Sequence, residues 1–272
     1  MPSTTEITAQ QLSQVVGLPT APSIIDVRLD EDYASAPRFI PGSHRRDWRA
    51  VETWASDYRG STAIVVCQRG LKISQGVAAW MRQAKVDAQT LEGGFDAWKA
   101  IGQPTVRTEK LPSRDEHGRT VWVTRARPKV DRVACPWLIR RFVDPAAVFL
   151  FVSPSEVLPV AERFKATPFD IDGVFWSHRG DACTFDTMIT EFDLKVEPLL
   201  RLASIVRGAD TSRLDQAPQA AGLLAASLGY SRMYQDDLEQ LDAAMIVYDA
   251  LYRWCRDATG ETHNWPSAKH PT

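Results

Sequence analysis

Two short β-branched runs, Ile24-Ile25-Asp26-Val27 and Ala63-Ile64-Val65-Val66, limit most tightly what this chain can fold into. Each is apolar at nearly every position and runs into polar turn residues, the pattern of a strand covered on both faces in a parallel sheet. Parallel neighbours need crossover connections, usually helices. Residues 74–85 supply one, with Val77, Trp80, Met81 and Ala84 at helical spacing. Leu91-Glu92-Gly93-Gly94-Phe95 reads as a strand end and glycine turn leading into a helix over 96–101. The first hundred residues are therefore expected to form an α/β domain, a parallel sheet flanked by helices.

The 272 residues exceed the usual size of one domain, about 100–200 residues, so two are expected. Beyond residue 103 the periodicity dissolves into Pro, Ser, Gly and charge. The reading is a domain over residues 1–106, a linker over 107–119 and a second domain over 120–272. In the second domain, 120–124 and 147–152 are strand candidates. Helices are expected over 131–143, 155–165, 184–207, 217–228 and 234–257, which makes this part mainly α within an α+β frame. The last helix is the clearest: Leu238, Leu241, Met245, Tyr248, Tyr252 and Cys255 fall on one apolar stripe. The two parts share no repeat.

Charge and cysteine content narrow the function classes. The formal net charge is −2 and neither half is basic, so no nucleic-acid partner is expected. No apolar run reaches the ~18 residues of a membrane span, and the N-terminus shows no positive segment leading into an apolar one. A cytoplasmic protein without a membrane partner is the expectation. Four cysteines, Cys67, Cys135, Cys183 and Cys255, are too scattered for a disulfide framework, and none forms a CxxC pair.

One of them stands where chemistry is favoured. Cys67 follows the strand ending at Val66 and precedes a helix, in Cys67-Gln68-Arg69-Gly70-Leu71-Lys72-Ile73. Loop and helix-terminal N–H groups there favour thiolate over thiol. Arg69 and Lys72 add full positive charge that would attract an anionic donor, and Gly70 permits the positive φ that a cradling loop often needs. A small buried residue closing a strand is the alternative reading of Cys67 itself.

The residues around that loop resemble the rhodanese family from about Ile7 to Arg107. The resemblance rests on Ile25-Asp26-Val27-Arg28, Phe39-Ile40-Pro41-Gly42-Ser43, the Cys67 loop, and Leu91-Glu92-Gly93-Gly94-Phe95-Asp96-Ala97-Trp98. It implies that Cys67 is a nucleophile carrying sulfane sulfur as a persulfide, with Gln68, Arg69, Gly70, Leu71, Lys72 and Ile73 binding the substrate. Asp26 and Arg28 look like framework residues, and Trp98 like core. Phe39 stands where the family usually has His, and Ile73 separates Lys72 from Ser74, which suggests a loop one residue longer than in common sulfurtransferases. Related phosphatases need Arg six residues after the cysteine; Ile73 occupies that position, which argues against phosphatase activity.

The second part carries six cations between Arg125 and Phe142, and Arg132, Arg140 and Arg141 with His178 and Arg179 are candidate ligands for a tetrahedral oxyanion. A solvated basic helix face fits the same helix. His178, Cys183 and Glu191 are candidate ligands for a metal ion, although their spacing matches no standard zinc arrangement. Asp236-Asp237 reads as the N-terminal cap of the last helix. Lys129-Val-Asp-Arg132, Cys135-Pro-Trp-Leu-Ile-Arg140-Arg141-Phe, Ser177-His178-Arg179-Gly180, Cys183-Thr-Phe, Arg207-Gly-Ala-Asp210 and Tyr248-Asp-Ala-Leu-Tyr252 resemble the chromate-resistance protein family, specifically the C-terminal domain of its chromate-responsive regulators. Such regulators carry a basic DNA-binding N-terminal part, and this chain has a rhodanese-like domain in its place.

The expected function is a sulfurtransferase linked to chromate or oxyanion resistance. A small anionic donor such as thiosulfate or a persulfide would pass sulfur through Cys67 to a thiol acceptor, with no cofactor required for the transfer. A non-enzymatic redox, oxyanion or metal sensor is the alternative.

Overall fold

The computed structural model describes residues 5–262; residues 1–4 and 263–272, the outer ends of the two expected domains, lie outside the described residues. The chain opens with β1 (Glu6–Ile7), α1 (Ala9–Ser13), β2 (Ser23–Asp26), α2 (Asp30–Ser35), β3 (Arg38–Phe39) and β4 (Ser43–Arg45). Then follow α3 (Val51–Trp54), β5 (Thr62–Val66), α4 (Lys72–Gln83), β6 (Asp87–Leu91), α5 (Gly94–Ala100) and β7 (Val106–Arg107). Five strands form a parallel sheet in the order β1-β6-β5-β2-β4, as the two β-branched runs require. Alternation sorts their side chains. Ile25 and Val65 face α3 and α4, with Val77 and Met81, while Ile24, Ile64 and Val66 face α1 and α5, with Leu12, Phe95 and Trp98. The register sets Asp26 beside Val66, so both central strands end together and Cys67 emerges at the carboxyl edge of the sheet. Trp80 does not join the buried stripe of its helix; it is about half exposed.

The second domain holds β8 (Val121–Arg125), α6 (Asp131–Leu138), β9 (Val148–Val152), α7 (Val157–Phe164) and β10 (Thr167–Pro168), then α8 (Thr184–Glu191), α9 (Glu197–Asp210), α10 (Ala220–Met233) and α11 (Asp237–Asp257). A small parallel sheet, β10-β8-β9, packs beside the helices. The single helix expected over 184–207 is two. Asp193 takes φ 61°, and Pro198, which has no N–H, starts the second helix near Glu197. Pro136 lies inside α6, and the helix widens directly after it into a π-turn over Ile139–Val143. Leu238, expected on the stripe of α11, is about half exposed, and burial begins at Gln240 and Leu241. Asp236 caps α11 by accepting from the N–H groups of Leu238 and Glu239, whereas Asp237 accepts instead from the backbone N–H of Arg127.

The segment between the domains is pinned at several points. β3 and β7 pair antiparallel, and Phe39 and Val106 pack into the core built around Trp122, Trp137, Phe142 and Phe185. The Arg107 N–H donates to Phe192 O, the Gly42 N–H to Phe142 O, and Arg38 forms an ion pair with Asp193 at 2.6 Å. Residues 115–119 form a tight turn, with the backbone N–H groups of His117 and Arg119 donating to the Asp115 carboxylate.

One residue near this seam makes stability respond to pH. His44 Nε2 is hydrogen-bonded to the Tyr58 hydroxyl, and the two rings stack with centroids 5.7 Å apart. Burial, then the charges of Arg46 and Arg114, lowers its pKa from 6.5 to about 4, against a smaller opposing pull from Asp144. Below 6.5 the unfolded chain binds the proton that the folded chain refuses. Stability present above pH 6.5 is therefore lost as pH falls towards 4, by at most ~3 kcal/mol. Urea melts across that window should show a shallower pH slope for His44→Gln than for wild type. Equal slopes would remove His44 from this account.

Candidate functional site

The backbone of the Cys67 loop is held from beneath by α5. Cys67 O accepts the Phe95 N–H at 3.0 Å and Gln68 O accepts the Asp96 N–H at 3.1 Å. Gly70 and Gly94 both take positive φ, +70° and +62°. A Cβ on Gly94 would lie 2.3 Å from Cys67 O and 2.5 Å from the Gly70 nitrogen, so two backbones touch where no side chain fits. Among the described residues, the N–H groups of Gln68, Arg69, Gly70 and Leu71 donate to no acceptor. α4 begins at Lys72 without a side-chain cap, so its first-turn donors add to that set.

Cys67 itself is 7% exposed. Its Sγ lies 3.1 Å from Ser74 Oγ, and Ser74 also donates to Leu71 O. The serine displaced by Ile73 in the sequence thus still reaches the sulfur. The expected substrate-binding residues divide by role. Arg69 and Lys72 are exposed and in no ion pair among the described residues, and Leu71 is exposed beside them. The Gln68 side chain is turned to Asp96, donating at 2.7 Å, and Ile73 packs on the core beneath α4. The loop therefore presents backbone N–H groups and two exposed cations. Asp26 and Arg28 form a buried ion pair at 2.6 Å, with the guanidinium stacked over Phe95 at 3.8 Å. They brace the strand end, and Trp98 is fully buried.

The second domain holds a cavity of about 890 Å³ whose walls include Arg125, Lys129, Arg132, Asp170, His178 and Asp210. Four segments meet there. Asp131 begins α6, Asp170 follows β10 with φ 54°, His178 lies before α8, and Asp210 ends α9. His178 Nε2 stands 3.5 Å from Asp131 Oδ2, 3.5 Å from Asp170 Oδ1 and 3.2 Å from Asp210 Oδ2. Asp131 Oδ2 also accepts the Thr184 N–H at 2.6 Å, while the buried Asp131 Oδ1 has no hydrogen-bond partner among the described residues. Arg125 and Arg132 approach Asp170 Oδ2 at 3.2 and 3.4 Å.

The charges follow from this crowding. Burial raises the Asp131 carboxyl, and burial with the neighbouring Asp131 and Asp170 raises Asp210 to about 7. Burial opposes ionisation of Asp170 too, but hydrogen bonds from His178 and Thr184 and the charge of Arg132 hold it low. Hydrogen bonding to Asp131 and Asp170 raises His178 to about 10.

Several expected ligands are elsewhere. Arg140 pairs with Asp242, and Arg141 makes two 2.8 Å bonds to Asp249, which also accepts from Trp137. Both arginines lock α11 onto α6 and its π-turn, so they do not join Arg132 in an oxyanion site. Arg179 pairs with Glu191 and lies over Phe175. That contact takes Glu191 away from His178. Cys183 is fully buried at the N-cap of α8, its thiol pushed far up by burial, and burial likewise raises Cys135. The expected set of His178, Cys183 and Glu191 is not what the structure gathers: the acidic oxygens beside His178 belong to Asp131, Asp170 and Asp210. Sequence reasoning missed these three aspartates; Asp131 and Asp210 stand at helix ends and Asp170 in the loop after β10, each within or beside a distinctive motif.

Residues 8–101 match the rhodanese-like domain family, and residues 122–255 match the family described as ChrB, C-terminal domain. Protein ChrB of Cupriavidus metallidurans is 32% identical over 173 residues, which cover 62% of this chain and 52% of that protein. The chain thus spans about half the length of this curated relative. Among solved structures, a rhodanese-like domain protein from Staphylococcus aureus is 27% identical, covering 35% of this chain and 90% of its own, with a TM-score of 0.31. A thiosulfate sulfurtransferase from Pseudomonas aeruginosa is 23% identical, covering 40% and 21%, with a TM-score of 0.34.

Proposed function

We propose that this chain, a rhodanese-like domain followed by a ChrB C-terminal domain, is a sulfurtransferase with Cys67 as its nucleophile. The observation that carries the reading is the placement of Cys67 in a loop whose amides, among the described residues, donate to no acceptor, and which carries two exposed cations, Arg69 and Lys72. The Cys67 thiolate attacks the outer sulfur of thiosulfate. The sulfur–sulfur bond of the donor breaks, and sulfite leaves with the electron pair. A persulfide remains on Cys67, its terminal anion within reach of the loop N–H groups. A thiolate or cyanide then attacks the outer sulfur and releases Cys67 as thiolate. The likeness of the second domain to ChrB supports a link to chromate resistance.

Steady-state transfer from thiosulfate to cyanide tests the reading, and a protein without turnover would be a thiol sensor instead. The cations give a finer expectation. Lys72 is exposed, so its charge acts chiefly on the approaching anion. Lys72→Ala should raise KM for thiosulfate several-fold, with kcat nearly unchanged. Added salt should weaken thiosulfate use more in wild type than in the variant. Identical salt dependence in the two proteins would count against the role.

A further inference from the structure

The residues around His178 are arranged in a way that their own contacts do not explain. Three carboxylate oxygens from three separate segments surround one imidazole nitrogen at 3.2–3.5 Å. A single N–H serves one such acceptor well, and these separations are at or beyond the long end of ordinary hydrogen bonds. Asp131 is completely buried, and among the described residues its second oxygen has no hydrogen-bond partner, an arrangement that carries a desolvation cost unless something binds it.

The spacing has a simple geometric meaning. Ligand atoms about 2.1 Å from a tetrahedral ion lie about 3.4 Å from one another. Asp131, Asp170 and His178 each offer a ligand atom, all within 4.8 Å of one another, and Asp210 closes on the imidazole at 3.2 Å. We infer that His178 Nε2 with the carboxylates of Asp131, Asp170 and Asp210 forms a binding site for one divalent first-row transition-metal ion.

The donor set defines the class of metal. One imidazole with several carboxylates suits zinc, manganese or iron(II), whereas calcium and magnesium prefer all-oxygen shells. The surroundings supply outer support: Thr184 donates to Asp131 through its N–H and to Asp170 through its hydroxyl, and Arg125 and Arg132 hold the other oxygen of Asp170. These contacts fix the carboxylates in place before any ion arrives. His178 is 41% exposed on the cavity side, which gives the ion a path in. The alternative is a charged histidine held by acids for stability alone. That alternative leaves the buried Asp131 oxygen unexplained.

The test uses the full chain, treated with chelator and dialysed. Titration calorimetry with Zn²⁺ and with Mn²⁺ should show one ion bound per chain, with a rise in melting temperature of several degrees. His178→Gln and Asp210→Asn should each weaken binding at least tenfold, while Cys67→Ser binds as wild type. Both variants should keep wild-type circular dichroism and sulfur transfer, because neither residue lies near Cys67. Pulsed electron paramagnetic resonance of the Mn²⁺ form should show coupling to an imidazole nitrogen that His178→Gln removes. No binding of either ion at equimolar concentration overturns the inference. So does unchanged affinity in both folded variants, or a Mn²⁺ spectrum without nitrogen coupling.

Discussion

Cys67→Ser is expected to lower sulfur transfer by roughly a thousandfold or more, the scale of loss when an enzyme's nucleophile is removed. Serine keeps the shape of the loop but offers a hydroxyl that is scarcely ionised at neutral pH and cannot carry sulfane sulfur as a persulfide. Folding should be nearly unaffected, since the side-chain hydrogen bond of Cys67 among the described residues is to the Ser74 hydroxyl, which serine can keep, and the loop is held by backbone bonds to α5. The other thiols give the contrast. Cys135 and Cys183 are fully buried with their pKa values raised by burial, and Cys255, 1% exposed, is raised to about 11. Cys255→Ser should leave transfer within a few-fold. Residual activity in Cys67→Ser near the wild-type level would move the chemistry to another residue.

The second large effect is expected at Gly94. Alanine there would need φ +62°, which costs a non-glycine residue about 1–2 kcal/mol, and would press a methyl against the Cys67 carbonyl at 2.3 Å and the Arg69 nitrogen at 2.8 Å. All its close neighbours are backbone atoms of the loop itself, so relief must come from moving the loop. Adding the cost of overpacking, the loss of stability should be about 2–5 kcal/mol. Transfer should fall even under conditions where the variant stays folded, because the cradle around Cys67 opens. Gly76→Ala in α4 is the control. Nothing lies within 4 Å of its added Cβ, and helix propensity predicts a gain of up to ~1 kcal/mol. Urea melts and thiosulfate turnover on both variants would check the pair, and a Gly94→Ala protein as active and as stable as wild type would refute the cradle.

Where local pattern decides structure, the sequence was legible. The runs at Ile24 and Ala63 became the central strands, and the loop after Val66 stood where the apolar pattern ended. The capping role of Asp236 was also local, and it held. Legibility failed where distant segments compete for the same residue. Arg140 and Arg141 read as oxyanion ligands because Asp242 and Asp249, about a hundred positions away, carry no sign that they will pair with them. The break after Phe192 hid within a continuous helical pattern, because Pro198 is as compatible with a helix start as with a kink. The cluster around His178 gathers residues from positions 131, 170, 178 and 210. Each aspartate taken alone reads as a terminal polar residue of a helix or strand, and only tertiary packing sets three of them about one imidazole.

The central claim, that Cys67 is a sulfur carrier, is most directly tested by the intact mass of the full chain after thiosulfate treatment and removal of excess donor. The account predicts one added sulfur atom per chain, located on the peptide that contains Cys67 and removed by cyanide as thiocyanate. An unchanged mass, or an added sulfur on any other cysteine, would contradict it.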